Sequence, residues 1–158
     1  MMNTVQRYKN DSAKRKRLWV DEAMSHPAKG HISMWEEMVL RYSQEGDTIL
    51  DPMAGIGTTL IAALMGRNVI CVELEPHFVS PMRRSWAKMR TMPMLGYSMG
   101  GVVILQGDAR ALPLPDASVG AAITSPPFED NLPNHTAPHH KTNFGAIKGI
   151  RHSGEGYT

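Results

Sequence analysis

This chain of 158 residues has a single cysteine, no long apolar run and no strong excess of either charge. Its single cysteine, Cys71, cannot form an internal disulfide, which fits a reducing compartment. No apolar run approaches the roughly 20 residues of a membrane-spanning helix, and the polar N-terminus lacks the apolar region of a signal peptide. We therefore expect a cytoplasmic protein without a membrane partner. The net charge of +2 permits a nucleic-acid partner without requiring one.

Hydrophobic residues make up 42% of the chain, enough for a core, and they occur in short apolar runs between helical patterns. Strands that alternate with helices predict an α/β fold with a parallel sheet and right-handed crossovers. The predicted strands are residues 48–51, 68–73, 102–106 and 119–124. The first predicted helix begins at Ser33, whose spacing from Glu36 suits a capping box. The second covers residues 58–65, and the third runs from Pro76 to about Met89.

Polar segments flank the predicted domain, which we place at residues 26–130. Residues 1–25 include the basic run Lys14 to Arg17. We expect this segment to be a solvated arm, and an arm that contacts phosphates is the alternative. Residues 131–158 form a polar tail rich in glycine and histidine. Its tract NHTAPHHK, residues 134–141, lacks regular metal-ligand spacing, so we expect a polar loop and no metal site.

A glycine loop, DPMAGIGTT, follows the first predicted strand at the position where open α/β sheets bind nucleotides. A phosphate-binding P-loop would need Lys-Ser or Lys-Thr after its last glycine, but Thr58 follows Gly57. A dinucleotide fingerprint would need a third glycine where Leu60 stands. What remains is a loop with two glycines, Gly55 and Gly57, preceded by an acid that can meet a cationic group.

Three carboxylates follow the first three predicted strands: Asp51, Glu73 and Asp108. An acid at the position of Glu73 accepts hydrogen bonds from ribose hydroxyls, and Asp108 could accept from an adenine amino group. Each acid alone is more often a helix cap or a turn former. Together, and without a phosphate-binding motif, they predict a pocket for an adenosine with a positively charged amino-acid tail. That ligand is S-adenosylmethionine.

Four segments resemble the amino-group DNA methyltransferases, which modify cytosine N4 or adenine N6: HPAKGHISMWEEMVLRY, GDTILDPMAGIGTT, VICVELEP and GDARALPLPDASVGAAITSPPF. The resemblance runs from His26 to Phe128. It implies a Rossmann-like methyltransferase fold that here lacks its C-terminal strands, with DNA as the substrate. The cofactor contacts that it implies are Pro27, Lys29, Asp51, Pro52, Gly55, Gly57, Thr58, Glu73, Asp108 and Ala109.

The same resemblance assigns the catalytic tip to Ser125, Pro126, Pro127 and Phe128. An exocyclic amine is a poor nucleophile because its lone pair is delocalised into the ring, so hydrogen-bond acceptors must orient it. The Ser125 hydroxyl and the Pro126 carbonyl would do this, and Phe128 would stack on the flipped base. Serine at the first position favours cytosine N4 over adenine N6. No cysteine stands beside the prolines, which argues against attack on cytosine C5.

Two alternatives stay open from the sequence. One is methylation of an amine in RNA, of the guanine-N2 type. The other is a fragment or split subunit that binds the cofactor but does not turn over alone, because only a polar tail follows the fourth predicted strand. In that case we expect a second chain to complete the sheet, whose edge would otherwise be unprotected.

Overall fold

The computed structural model describes residues 7–25 and 29–126. The strands are β1 (Thr48–Asp51), β2 (Asn68–Glu73), β3 (Val102–Gln106) and β4 (Ala121–Ala122). The α-helices are α1 (Ser12–Leu18), α2 (Ile32–Tyr42), α3 (Ile61–Leu64) and α4 (Pro76–Met89), with 3-10 turns at Asp21–Ser25 and Thr58–Leu60. Within these described ranges no helix has the length and apolar character needed to cross a membrane.

The four strands form one parallel sheet in the order β3-β2-β1-β4, which confirms the predicted α/β architecture. β4 is shorter than the predicted 119–124. Its ladder nevertheless continues on both sides, because Gly120 N–H donates to Thr48 O and Ile123 N–H donates to Leu50 O, each at 2.9 Å. The pairing stops before Pro126, which has no N–H to donate.

The hydrophobic core covers one face of the sheet. Alternate residues of the strands, among them Ile49, Cys71 and Ile104, belong to the same apolar cluster as Met82 of α4. Side chains on successive strand residues point to opposite faces. Val103 therefore lies on the other face, where it is 50% exposed.

The prediction of a solvated N-terminal arm is wrong for the residues from Ser12 to Ser25. This segment forms α1 and a 3-10 turn, and Leu18 and Trp19 are 2% and 0% exposed. The Trp19 indole N–H donates to Ile56 O in the glycine loop at 3.0 Å. The apolar residues that follow the basic run therefore anchor the segment on the domain.

Two predicted helices differ in their bounds. α2 begins at Ile32 and not at Ser33, because His31 is the N-cap and its Nδ1 accepts from Ser33 N–H at 3.2 Å. The predicted helix 58–65 divides into a 3-10 turn and the single turn of α3. Gly66, in the left-handed region with φ +84°, ends it.

We expect Trp19→Ala to lower the free energy of unfolding by about 3 to 5 kcal/mol, since it removes a large buried side chain and one buried hydrogen bond. Leu95→Ala is the control, because Leu95 is 99% exposed and its loss should change stability by less than about 0.5 kcal/mol. Urea denaturation followed by circular dichroism measures both. Equal stability of the two variants would contradict the docking of α1.

Candidate active site

The carboxyl ends of the strands bring the three predicted acids to one rim of the sheet. Asp51 and Glu73 are the last residues of the adjacent strands β1 and β2, and Asp108 follows β3 by two residues. The register supports this arrangement, because Asp51 pairs with Cys71 and Glu73 pairs with Gln106. This rim is where parallel α/β sheets bind their ligands.

Glu73 holds the glycine loop against β2. Its Oε2 accepts from Gly55 N–H at 2.6 Å, and its Oε1 accepts from Glu75 N–H at 2.8 Å. The side chain is buried, yet an ionised carboxylate offers about four acceptor positions. Two hydrogen bonds therefore leave capacity for two more, which is what a pair of ribose hydroxyls requires.

Asp51 lies beneath the glycine loop and is 2% exposed. Its carboxylate accepts from the Thr59 hydroxyl and, at 3.3 Å, from Met53 N–H. Burial raises the pKa of Asp51 to about 6, although the hydrogen bond from Thr59 opposes that rise. The nearby Thr124 hydroxyl also lowers the pKa of Asp51, although it makes no well-formed hydrogen bond within the described part of the chain. Asp51 thus orients the loop from below.

The loop itself takes a conformation that favours glycine. Gly55 and Gly57 have φ values of +54° and +75°, in the left-handed region. A Cβ on Gly57 would lie 2.7 Å from Met82 Cγ and 2.9 Å from Leu60 Cδ1. Pro52 is half-buried and Thr58 is buried. The loop is therefore closely packed from behind, and its backbone conformation is fixed by sterics.

Asp108 engages Arg110, a partner that the sequence did not single out. The guanidinium forks onto the carboxylate, with Nη2 at 2.7 Å from Oδ2 and Nε at 3.1 Å from Oδ1, and Arg110 N–H also donates at 2.9 Å. The side-chain hydrogen bond from Arg110 lowers the pKa of Asp108 to about 2. Ala109, between them, is half-buried. An adenine amino group would have to share Asp108 with Arg110.

A cavity of about 370 Å³ beside Asp108 lies apart from Asp51 and Glu73. It is lined by Ala109, Arg110, Leu112 and residues 114–119, together with Leu50. Leu50 points to the face opposite Ile49 and Asp51. The cavity therefore belongs to the less covered face of the sheet and not to the cluster of Asp51 and Glu73.

The remaining predicted residues that the structure describes make no hydrogen bond to Asp51, Glu73 or the glycine loop. Ser125 and Pro126 are exposed just beyond β4, the strand beside β1. Lys29 donates to Met24 O at 3.2 Å, and burial together with the nearby Arg15 lowers its pKa. Pro27, Pro127 and Phe128 lie outside the described residues, as does the histidine tract at 134–141. The sequence analysis also missed the roles of Thr59, which donates to Asp51, and of Trp19, which donates to Ile56 O in the loop.

Comparison with known proteins identifies the family of the chain. A family model described as DNA methylase, of the N6/N4 type, matches residues 2–84, just over half of the chain. Type II methyltransferase M2.MboI of Moraxella bovis is 35% identical over 69 residues, which cover 43% of this chain and 25% of that protein. DNA adenine methyltransferase YhdJ of Escherichia coli is 33% identical over 66 residues, with 41% and 22% covered. The chain thus spans about a quarter of the length of these relatives.

The fold has its own counterpart among solved structures. A protein of Methanococcus maripaludis, assigned to the S-adenosylmethionine-dependent methyltransferases, superposes with a TM-score of 0.50 and 18% identity. The match covers 83% of this chain and 57% of that one. At this level of identity it shows that the two chains share a fold, the Rossmann-like methyltransferase fold.

The buried Asp51 predicts an unusual dependence of stability on pH. Its pKa is about 6 in the folded chain against an ordinary 3.8, so the folded state holds the proton more tightly than the unfolded state. The resulting stabilisation is complete below pH 3.8 and is lost as the pH rises to about 6, at up to about 1.4 kcal/mol per pH unit. We expect Asp51→Asn to remove this slope, as measured by urea denaturation across that range.

Asp116→Asn is the matched control, because it removes an exposed carboxylate from a loop. Its profile should run parallel to that of the unmodified chain. A slope between pH 4 and 6 that is the same in Asp51→Asn as in the control would show that Asp51 titrates normally.

Proposed function

The chain belongs to the DNA methylase family of the N6/N4 type, and from this premise we propose that it carries the cofactor site and catalytic tip of an enzyme that methylates an exocyclic amino group in DNA. Family membership makes S-adenosylmethionine the methyl donor. The observation that carries the proposal is the strand order β2-β1-β4. It sets Glu73, the glycine loop and Ser125 at the ends of three neighbouring strands.

The residues of the rim fit this cofactor. The spare acceptor positions of Glu73 suit the ribose hydroxyls, and the turn at Gly55 and Gly57, where both glycines have positive φ, suits close approach of a ligand to the backbone. Asp108 would accept from the adenine amino group. Asp51 would act through the loop, with Pro52 and Thr58 beside it, while Pro27, Lys29 and Ala109 stay predicted contacts.

The catalytic work of the chain is to orient the amine. When bound, S-adenosylmethionine supplies an electrophilic methyl group on a sulfonium. The Ser125 hydroxyl oxygen and the Pro126 carbonyl oxygen would accept hydrogen bonds from the two N–H groups of the base and turn the nitrogen lone pair toward that methyl. Such alignment contributes up to about 7 to 11 kcal/mol in well-oriented systems, and no covalent enzyme intermediate is needed. Pro127 would stiffen the tip, and Phe128 would stack on the flipped base.

We favour cytosine N4 as the methylated atom because Ser125, and not an aspartate or asparagine, occupies the first position of the tip. A hydroxyl is a shorter, neutral acceptor, so the amine must approach the backbone closely. Adenine N6 is the other substrate of the family and appears in the name of the relative YhdJ. The chemistry of the tip is the same for both bases.

A second chain that completes the sheet stays part of the proposal. Among the described strands, β4 pairs with β1 alone and forms one edge of the sheet. The face opposite the core includes the half-exposed Val103 and the exposed Ala122. An open edge and a partly exposed apolar face both favour association. Methylation by this chain expressed alone would contradict the need for that partner.

Glu73→Gln should weaken S-adenosylmethionine binding by roughly ten-fold or more, because a charge-assisted hydrogen bond to a hydroxyl contributes about 1.5 to 3 kcal/mol. Isothermal titration calorimetry measures the affinity. Glu75→Gln is the matched control two residues away, whose side chain is 53% exposed, and it should bind as the unmodified chain does. Equal affinities of the two variants would remove Glu73 from the cofactor site.

The methylated base is tested by expression in a methylation-deficient host, followed by digestion of the DNA to nucleosides and mass spectrometry. We expect N4-methylcytosine. N6-methyladenine would contradict the preference for cytosine while keeping the mechanism. The absence of both modified nucleosides, with cofactor binding intact and the partner chain present, would contradict the DNA methyltransferase function.

Ser125→Ala tests the proposed mechanism in the same host. Since its hydroxyl is proposed to contact the reacting amine, the loss should appear in turnover and leave cofactor affinity within about two-fold.

A further inference from the structure

A second cluster of charge lies where α1 meets the residues before α2, and it shares only Lys29 with the predicted cofactor contacts. Its centre is Arg15, which is 4% exposed although a guanidinium is always charged. Nη2 donates to Asp11 Oδ2 at 2.8 Å and to Gly30 O at 2.6 Å, and the guanidinium carbon lies 5.2 Å from the centre of the Trp19 ring. One side of the fork is thus fully used to hold the fold.

The other nitrogen of the fork is not used in this way. Arg15 Nη1 is buried and has no hydrogen-bond partner among the residues that the structure describes. A buried donor without a partner is costly, and more so when it is charged. The packing of α1 alone gives no reason for this arrangement, whereas an anion at Nη1 would.

Arg15 lines a cavity of about 320 Å³ together with two further cations, Lys16 and Lys29. The lining includes one carboxylate, Asp11, whose Oδ2 already accepts from Arg15 and, at 2.9 Å, from Ile32 N–H. Burial alone would raise the pKa of Asp11, but these hydrogen bonds hold it below its usual value. The carboxylate is therefore ionised and engaged through Oδ2, and the three cations of the lining outnumber it.

His31, also in the lining, does not add to that charge through free donors. Its Nε2 donates to Lys9 O at 2.8 Å, and its Nδ1 accepts from Ser33 N–H. These partners fix the neutral tautomer with the proton on Nε2. The positive character of the cavity thus comes from Arg15, Lys16 and Lys29. Burial and the proximity of Arg15 lower the pKa of Lys29, and the nearby Asp11 opposes that shift only in part.

We propose that this cavity is an oxyanion site that takes a backbone phosphate of the DNA substrate. The inference rests on the proposed function, which supplies the polyanion. A guanidinium fork with two flanking ammonium groups suits phosphate oxygens, and phosphate contacts fix the register of a protein on DNA without reading its sequence.

The matched variants are Lys16→Met and Arg17→Met. Both residues are exposed neighbours on α1 and lose the same charge, but only Lys16 lines the cavity. Both variants are expected to fold, whereas truncation of the buried Arg15 could unfold the chain, so Arg15→Lys is used to remove the fork and keep the charge.

Inorganic phosphate is the first probe. It should raise the thermal midpoint of the full chain and of Arg17→Met, and have a clearly smaller effect on Lys16→Met and Arg15→Lys. Sodium chloride at equal ionic strength separates specific binding from screening. Equal shifts in all four proteins would show an adventitious ion only and overturn the site.

A fluorescent DNA duplex is the second probe, with its affinity measured across a series of salt concentrations. The slope of log K against log salt should fall by about 0.9 in Lys16→Met and by less than half as much in Arg17→Met. Equal slopes in the two variants, or no salt-dependent binding of the duplex by the full chain, would overturn the assignment to DNA.

Calorimetry with S-adenosylmethionine on the same proteins separates this inference from the proposed function. Cofactor affinity should be unchanged in Lys16→Met. Loss of cofactor affinity with DNA binding retained would assign the cavity to the carboxylate of the cofactor and overturn the phosphate site. If the unmodified chain binds no cofactor, the proposed function fails, while the phosphate and DNA measurements still decide the site.

Discussion

The candidate site depends on one hydrogen bond, from Gly55 N–H to Glu73 Oε2 at 2.6 Å. It joins the loop after β1 to the end of β2, and Ala54 N–H to Val72 O at 2.9 Å reinforces the same junction. Because the carboxylate is buried and engaged from one side, its remaining acceptor positions have a fixed direction. A preorganised acceptor loses less entropy when a ligand arrives than a mobile one would. The same residue therefore supports the fold and is available for binding.

The N-terminal segment gives the loop a second support. Trp19 reaches Ile56 from the far side, and the guanidinium of Arg15 lies over the Trp19 ring. Asp11 links this segment to α2 by accepting from Ile32 N–H. The glycine loop is thus held between β2 and α1. The charged cluster around Arg15 is thus connected to the glycine loop through Trp19, by packed side chains and one hydrogen bond.

The sequence predicts the elements whose signals are local. β1, β2 and β3 match their predicted bounds because each is a short, mostly apolar run, and α4 matches because Pro76 suits a first turn. The burial of Trp19 could not be predicted, since it depends on a partner 37 residues away. At the site, the positions of the acids follow from the strand ends, but the burial of Asp51 depends on how the loop folds over it. The bidentate ion pair between Arg110 and Asp108 depends likewise on the side-chain rotamers, which no sequence pattern specifies.

That fork bears on how the rim can accept an adenine. Both oxygens of Asp108 face Arg110 in this structure, yet the Arg110 side chain is 71% exposed and that of Asp108 is 33% exposed. Exposed ion pairs contribute little to stability, because water solvates the separated charges almost as well. In the proposed site, exchange of one guanidinium contact for an adenine amino group would therefore cost little, and the displaced Arg110 would stay in solvent near the ligand. Glu73 differs in this respect, because its hydrogen bonds to Gly55 and Glu75 are part of the loop itself. The proposed site would thus combine Glu73, an acceptor that is fixed before the ligand binds, with Asp108, an acceptor that Arg110 releases as the ligand binds.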